Sequence, residues 1–377
     1  MIFYDFEVFK EDWLAVFIDV TKKKEYVIIN NPDELKALYE ANSKDIWVGY
    51  NNRHYDQYIM KGILLGMNPK RINDWIIVEK KEGWQFSSAF NKVPMINYDV
   101  MPNPPVGLKT LEGFLGSNIK ETDVDFRINR KLTKEEIEMT VFYCRHDVEE
   151  TIKVFLEKID EFNAMHGIIQ AFPDIVNLSD IGDSEARITA KVLGCSRRSF
   201  EDEFDFYFLP CLQLKKYKYV QDWFEQKRQE ALSMDLAHMD KYSKRTWYKE
   251  QGLETVVAGI PHSFGFGGVH GATATPIHKT GQLLHVDVNN YYPSMLIAWG
   301  LVTRAATNDN YPLVYNTRKA MKEKQIAAKN AGNKKEVKRW KKAQLPYKKM
   351  LNALSGAMKD ETNVAYDPRN NNCMCIN

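Results

Sequence analysis

Leu283-Leu284-His285-Val286-Asp287-Val288-Asn289-Asn290-Tyr291-Tyr292-Pro293-Ser294-Met295 is the stretch on which the reading of this chain turns. Leu283, Leu284 and Val286 have the character of a buried strand, and Asp287 stands where that strand runs out. A carboxylate at a strand end is fixed by the sheet and reached from the loop, which suits a metal ligand. Tyr292-Pro293-Ser294 then predicts a turn, because proline restricts the residue before it and holds the tyrosine ring near the same place. Alone, the stretch also describes an ordinary strand followed by a Tyr-Pro turn.

Around it, 377 residues are enough for two or three domains rather than one core. Hydrophobic and charged contents of 44% and 27% are those of a globular protein. The net charge of +2 hides an uneven spread, acidic in parts of the first half and basic over 318–349. That asymmetry predicts a polyanionic partner for the later part. Cys144, Cys195, Cys211, Cys373 and Cys375 are odd in number and scattered, so no disulfide framework is expected and a reducing cytoplasm suits them. Cys373-x-Cys375 lacks a second ligand pair for zinc. Asp5 and Glu7 interrupt the apolar run over 1–9, so no signal peptide, spanning helix or membrane partner is expected.

Taken in order, 1–9 reads as a strand, and 13–19 and 25–29 continue it as a meander. Alternation puts Asp5 and Glu7 on one face, about 7 Å apart. Two carboxylates so placed repel unless a cation lies between them, and oxygen donors favour magnesium or manganese. An apolar run over 46–49 leads into Tyr50-Asn51-Asn52-Arg53-His54-Tyr55-Asp56 and a helix over 58–65. This brings Asp56 to a sheet edge, unless Asn52 or Asp56 merely caps the helix. Tyr98-Asp99 ends another short strand, and 107–115 reads as a helix stopped by Gly116. A helix opening at 133 carries Tyr143 and Asp147, four residues apart and therefore on one face. A tyrosine one turn from a metal-binding aspartate can orient a water without carrying charge. The stripe Ile152, Phe155, Ile159 and Phe162 continues this helix to Gly167, where it is expected to stop.

Residues 168–260 carry helices at 179–193 and 220–232, with Trp223 and Trp247 read as core. Lys215, Lys216 and Lys218 read as a solvated face rather than a DNA contact. Gly265-Phe266-Gly267-Gly268-Val269-His270-Gly271 is glycine-rich enough for the backbone to approach a bulky ligand, or is a simple loop. Arg318 and Lys322 lie one turn apart on a basic helix that turns back at Ala331-Gly332-Asn333. The return helix carries Lys334, Lys335, Lys338, Arg339, Lys341 and Lys342. Pro346 precedes a further helix that places Lys348 and Asn352 on one face.

Asp5-x-Glu7, Asn52-x-x-Tyr55-Asp56 and Tyr143-x-x-x-Asp147 resemble, in that order, the three proofreading motifs of family B DNA polymerases. Their exonuclease is of the DEDD superfamily, tyrosine subtype, with an RNase H-like fold. Asp287-x-x-x-x-Tyr292-Pro293-Ser294 resembles the first polymerising motif of that family. Lys348-x-x-x-Asn352 resembles its fingers motif, although Ala353 and Ser355 stand where the family has serine and tyrosine. Gly267-Gly268 partly matches its Tyr-x-Gly-Gly element, with Phe266 in place of tyrosine and the spacing off by one. The resemblance implies that Asp5, Glu7, Asp56 and Asp147 ligate magnesium or manganese and that Tyr143 orients the hydrolytic water. Asn52, Tyr55 and Lys109 would hold the 3′ end of a single strand. Asp287 would hold the polymerising metals, and Tyr292 would lie under the incoming sugar. Arg318, Lys322 and Lys348 would clamp the phosphates of a dNTP, Asn352 would check the base pair, and Gly267 and Gly268 would contact template DNA.

The expected architecture is therefore α/β. An RNase H-like 3′–5′ exonuclease domain (1–165) leads through a connecting helical region (166–260) to the first part of a polymerase palm (261–310). Helical-hairpin fingers (311–350) and an incomplete palm continuation (351–377) follow. A first motif at residue 5 resembles the compact bacteriophage and plasmid members, so the cytoplasm of a bacterial host cell is expected. No Asp-x-Asp follows Gly356, so nucleotidyl transfer is expected only with a C-terminal polymerase fragment as partner. Without that fragment an apolar face near 352–377 should lie open. The other expected partners are primer-template DNA, single-stranded 3′ ends and dNTPs. Two rivals remain: a stand-alone 3′–5′ DNA exonuclease, and a non-catalytic DNA-binding subunit of a split polymerase.

Overall fold

Ile2–Val8 form β1, the middle strand of a five-stranded sheet, in a computed structural model that describes residues 1–117, 119, 124–282, 284–288 and 290–377. These residues divide into two units of mixed α/β structure, Met1–Asp183 and Ser184–Asn377. In the first, Trp13–Asp19 (β2) and Lys24–Ile29 (β3) continue from β1 as an antiparallel meander. Ile46–Gly49 (β4) and Ile96–Asp99 (β5) add in parallel on the other side, giving the order β3-β2-β1-β4-β5.

Alternation along β1 sets the layers. Tyr4, Phe6 and Val8 join Trp13, Phe17 and Trp47 in one core, closed by Pro32–Ala41 (α1), Asp56–Leu64 (α2) and Pro69–Asn73 (α3). The opposite face carries Phe3, Asp5 and Glu7. There Phe3 meets Phe155 edge-on, ring centres 5.3 Å apart. After Leu108–Leu115 (α4), which ends on Gly116 at φ +71° as predicted, Phe155 belongs to the long helix Lys134–Glu157 (α5). A capping box starts α5: Glu136 N–H donates to Thr133 Oγ1, and Thr133 N–H donates back to the Glu136 carboxylate. The predicted stop at Gly167 is not where the helix ends. It breaks at Lys158, and Ile159–Ala171 (α6) runs through Gly167. Buried Met165, Ile168 and Ile169 hold α6 in place, which outweighs the ~1 kcal/mol that a mid-helix glycine costs.

The second unit begins with Glu185–Val192 (α7), Lys218–Ser233 (α8) and Lys241–Glu250 (α9). Leu253–Val257 (β6), Ile260–Gly265 (β7) and Gly268–Gly271 (β8) then form an antiparallel sheet. The glycine-rich segment is thus a hairpin, with Gly265 paired to Gly268 and Gly268 at φ +112°. Phe266, in its two-residue loop, is buried against Phe206, Phe224, Trp247 and Tyr248. Tyr291–Ala298 (α10), Asn310–Asn330 (α11), Lys334–Ala343 (α12), Leu345–Lys359 (α13) and Pro368–Ile376 (α14) complete the unit. α11 and α12 are the predicted basic hairpin, turning at Gly332 (φ +68°), and Asn333 caps α12 by accepting from Glu336 N–H.

Three expectations in this unit are corrected. The strand expected to end at Asp287 is not formed: Leu284 and Val286 are 87% and 78% exposed, and no strand pairs with 284–288 among the described residues. Leu283 lies outside those residues. Apolar side chains alone do not make a strand, because its backbone groups need a ladder partner. Pro293 makes no turn but sits in the first turn of α10, where its missing N–H had no helical partner to lose. Near 352–377 there is a docked helix in place of the open apolar face: Asn370, Asn371, Asn372, Cys373 and Met374 of α14 are buried.

Candidate functional site

Three separate segments, β1, α2 and α5, bring carboxylates together around β1. Asp5 lies mid-strand, and Cys144 of α5 places its Sγ 3.4 Å from both the Asp5 backbone oxygen and Oδ2. Asp56 is the first residue of α2, and its Oδ1 accepts the Phe6 N–H at 3.1 Å. Asp147 lies on α5, one turn after Tyr143. Burial raises the pKa of every one of these carboxyls, and their mutual repulsion adds to it. Asp5 is pushed up to about 8, first by burial and then by the charge of Asp147. Glu7 is held well above the carboxylate range by burial and by Asp5, Asp147 and Asp56. Asp56 is raised by burial and by Asp5. Asp147 is raised by burial even against the pull of Lys109. Burial, then Asp147, pushes the Tyr143 phenol up as well, so it stays neutral.

Lysine charge also faces this group. Lys109 of α4 donates to Asp147 Oδ1 at 2.6 Å and to Glu112 Oε1 at 3.0 Å, with its Nζ 4.8 Å from the Tyr143 ring centroid. Glu112 Oε2 in turn lies 3.4 Å from His146 Nε2. Glu112, His146 and Asp147 offer ligand atoms within 4.8 Å of one another, but Lys109 already bridges Glu112 and Asp147. Among the described residues Asp5, Glu7 and Asp56 pair with no cation, and Asp147 shares Lys109 with Glu112. An all-oxygen, anionic donor set of that kind fits a hard divalent cation such as magnesium or manganese.

The residues expected to hold a DNA strand fare differently. Asn52 is fully buried, and its amide donates to Asn97 Oδ1 at 2.9 Å and Tyr98 O at 3.3 Å. It ties the end of β4 to β5 and offers no surface to a strand, which corrects the expected contact. Tyr55 directs its hydroxyl to Asn73 Oδ1 at 2.7 Å, and Lys109 is engaged with the carboxylates. Asp99 fixes the loop after β4 by accepting the N–H groups of Asn51, Arg53 and Met101.

In the second unit Asp287 lies in an exposed segment without regular structure. Gly268 and Tyr292 are brought together, since a Cβ on Gly268 would lie 3.8 Å from the Tyr292 hydroxyl. Gly267 is exposed in the hairpin loop. Arg318 is half-buried and bonds the Asn290 side chain. Tyr311 joins α11 to α13 by donating to Leu351 O at 3.0 Å. Lys322 is half-buried on α11, while Lys348 and Asn352 are exposed on α13.

Glu112 and His146 were not singled out from the sequence. Their signals are present but faint: Glu112 stands three residues after Lys109 on one helix, and His146 adjoins Asp147. Among the described residues no helix is long and apolar enough to cross a membrane. The chain matches no protein-family model and no curated protein.

Proposed function

We propose that the first unit is a two-metal 3′–5′ DNA exonuclease of RNase H-like fold. The sheet order β3-β2-β1-β4-β5, with α5 packed on β1 and β2, supports that fold. The observation that carries the activity is the convergence of Asp5, Glu7, Asp56 and Asp147, Asp56 buried and the others half-buried, their pKa values raised by desolvation and neighbouring carboxylates, beside a tyrosine kept neutral. Magnesium or manganese held by these four carboxylates supplies neutralising charge and a water of lowered pKa for phosphodiester hydrolysis. Tyr143 orients that water by hydrogen bonding and takes no proton, since its phenol stays protonated. The Cys144 thiol and the Phe6 N–H hold Asp5 and Asp56 in position. Lys109 pulls the Asp147 carboxyl toward its ionised form, against the upward push of burial.

A wider reading makes the chain part of a family B type DNA polymerase of a bacteriophage, proofreading its own product in the bacterial cytoplasm. The basic hairpin α11–α12 supports it, as does the packing of α10, α11 and α13, which carry Tyr292, Arg318, Lys322, Lys348 and Asn352. On that reading these residues meet dNTP and primer-template DNA, and 284–288 takes up strand structure when a C-terminal polymerase fragment pairs with it. The exposed Asp287 segment supports this reading least and favours the stand-alone exonuclease.

The test is degradation of a 5′-labelled single strand by the purified chain. Stepwise shortening from the 3′ end, dependent on magnesium or manganese, is expected. The Asp5→Ala, Asp147→Ala double variant should be slower by at least ~10²–10³-fold, the loss typical of one electrostatic stabiliser. Equal activity of the two proteins would sink the assignment.

A further inference from the structure

We propose that the second unit carries a cleft for single-stranded DNA along one face of α9. Lys241, Arg245 and Lys249 recur every four residues, so they share one helix face and span ~12 Å. All three line a cavity of about 540 Å³, and Lys359 of α13 lines it too. Like charges one turn apart weaken a helix, so such a row needs an anion or open water.

The carboxylates of the same cavity do not provide that anion. Glu203 and Glu361 both engage Lys244, at 3.4 and 3.1 Å, and Glu203 also accepts the Tyr248 hydroxyl at 2.9 Å. Asp360 accepts the N–H and hydroxyl of Thr362, at 2.9 and 2.8 Å. Among the described residues the side chains of Lys241, Arg245, Lys249 and Lys359 form no hydrogen bond or ion pair. The wall holds a second, independent feature. Asn371 is 5% exposed and lines the cavity, yet its side-chain amide bonds nothing among the described residues. The amide atoms still reach solvent, so they are open to a hydrogen bond from a ligand in the cavity.

A row of cations over three helical turns suits a repeating anion better than a single phosphate. The recess also supplies what unpaired bases use, an aromatic ring at Tyr366 and the Asn371 amide. A duplex hides its base faces and would not use them. The choice of DNA as the polymer rests on the exonuclease reading above; the cleft itself does not.

The experiment uses the full chain in chelator, where no strand is degraded. Anisotropy of a labelled 12-nucleotide oligodeoxythymidylate is followed across salt concentrations. The Lys241→Ala, Arg245→Ala, Lys249→Ala variant alters exposed side chains, and its thermal midpoint checks that it folds. Its affinity should fall at least ~10-fold, and its log–log salt slope should drop by about 2, from three contacts at ~0.7 each. Asn371→Ala should weaken binding with the slope unchanged. Wild-type affinity and slope in the triple variant would overturn the proposal. So would displacement of the oligonucleotide by a duplex or by inorganic triphosphate as effective as displacement by unlabelled strand. A chain that binds the strand in chelator but never shortens it with magnesium would remove the nuclease reading and leave the cleft standing.

Discussion

Lys109 and Asp147 are 38 residues apart in the chain, yet the lysine Nζ lies 2.6 Å from Asp147 Oδ1. The same amine holds Glu112, which has no exposed surface. Lys109→Met would leave both carboxylates without that charge. Lys109 is 27% exposed, so solvent screens part of the interaction. A stability loss of about 1–2 kcal/mol in chelator is therefore expected. Because the site becomes more negative, the rise in thermal midpoint on adding magnesium should be larger than in wild type. An unchanged midpoint in chelator, with an unchanged response to magnesium, would mean that Lys109 contributes no charge to the site.

The raised carboxyl pKa values carry a pH dependence whose sign follows from linkage. A carboxyl with a folded pKa above its unfolded one binds more protons when folded. Its stabilising contribution is present in full below pH ~4, where unfolded carboxylates titrate. It is lost as the pH rises through about 8, where Asp5 titrates. In chelator the thermal midpoint should therefore fall between pH 5 and pH 9, by at least about 5 °C. Magnesium or manganese added at pH 9 should reverse the fall by binding the ionised form. Asp5→Asn should raise the pH 9 midpoint in chelator while losing cleavage. A flat profile in chelator would show the carboxylates to be solvated or paired.

How much of this could be read from the sequence depended on whether a feature is local. Alternation of Tyr4, Phe6 and Val8 with Asp5 and Glu7 put two carboxylates on one strand face, where they stand. Helical spacing did the same for Tyr143 and Asp147 on α5. Pairings between distant elements leave no such trace. The Glu112–His146 contact joins residues 34 apart, and nothing in either segment names the other. Asn52, in the turn after β4, bonds Asn97 of β5, 45 residues away. Residues 284–288 show the opposite error: their composition suits a strand, but a strand is a property of a pair.

The docking of the C-terminal helix also escaped the sequence, and an ion pair on the buried Asp367 is one of the contacts that hold it. Asp367, with no exposed surface, accepts the Arg304 N–H at 2.7 Å and its guanidinium at 2.6 and 3.0 Å. The same guanidinium donates to Asp202 at 2.6 Å, and Asp202 also pairs with Arg369 at 3.1 Å. Removing one partner of a buried pair typically costs about 3–5 kcal/mol, because the other charge stays in low dielectric. Asp367→Ala also removes the N-cap of α14, which accepts the Asn370 N–H at 3.3 Å and is worth ~1 kcal/mol. Arg304→Ala should cost at least as much, since it leaves the fully buried Asp367 without its guanidinium, whereas in Asp367→Ala the arginine keeps Asp202. The double variant should lose less than the sum of the two single variants, with a coupling above ~0.5 kcal/mol. Denaturant unfolding measures the sum, and hydrogen exchange locates it. Asp367→Ala should strip protection from α14 while the amides of β1 and α5 keep theirs. Additive losses, or undiminished protection of α14 in Asp367→Ala, would show that the helix is held by its other contacts, such as the Asn372 bond to Glu203 O.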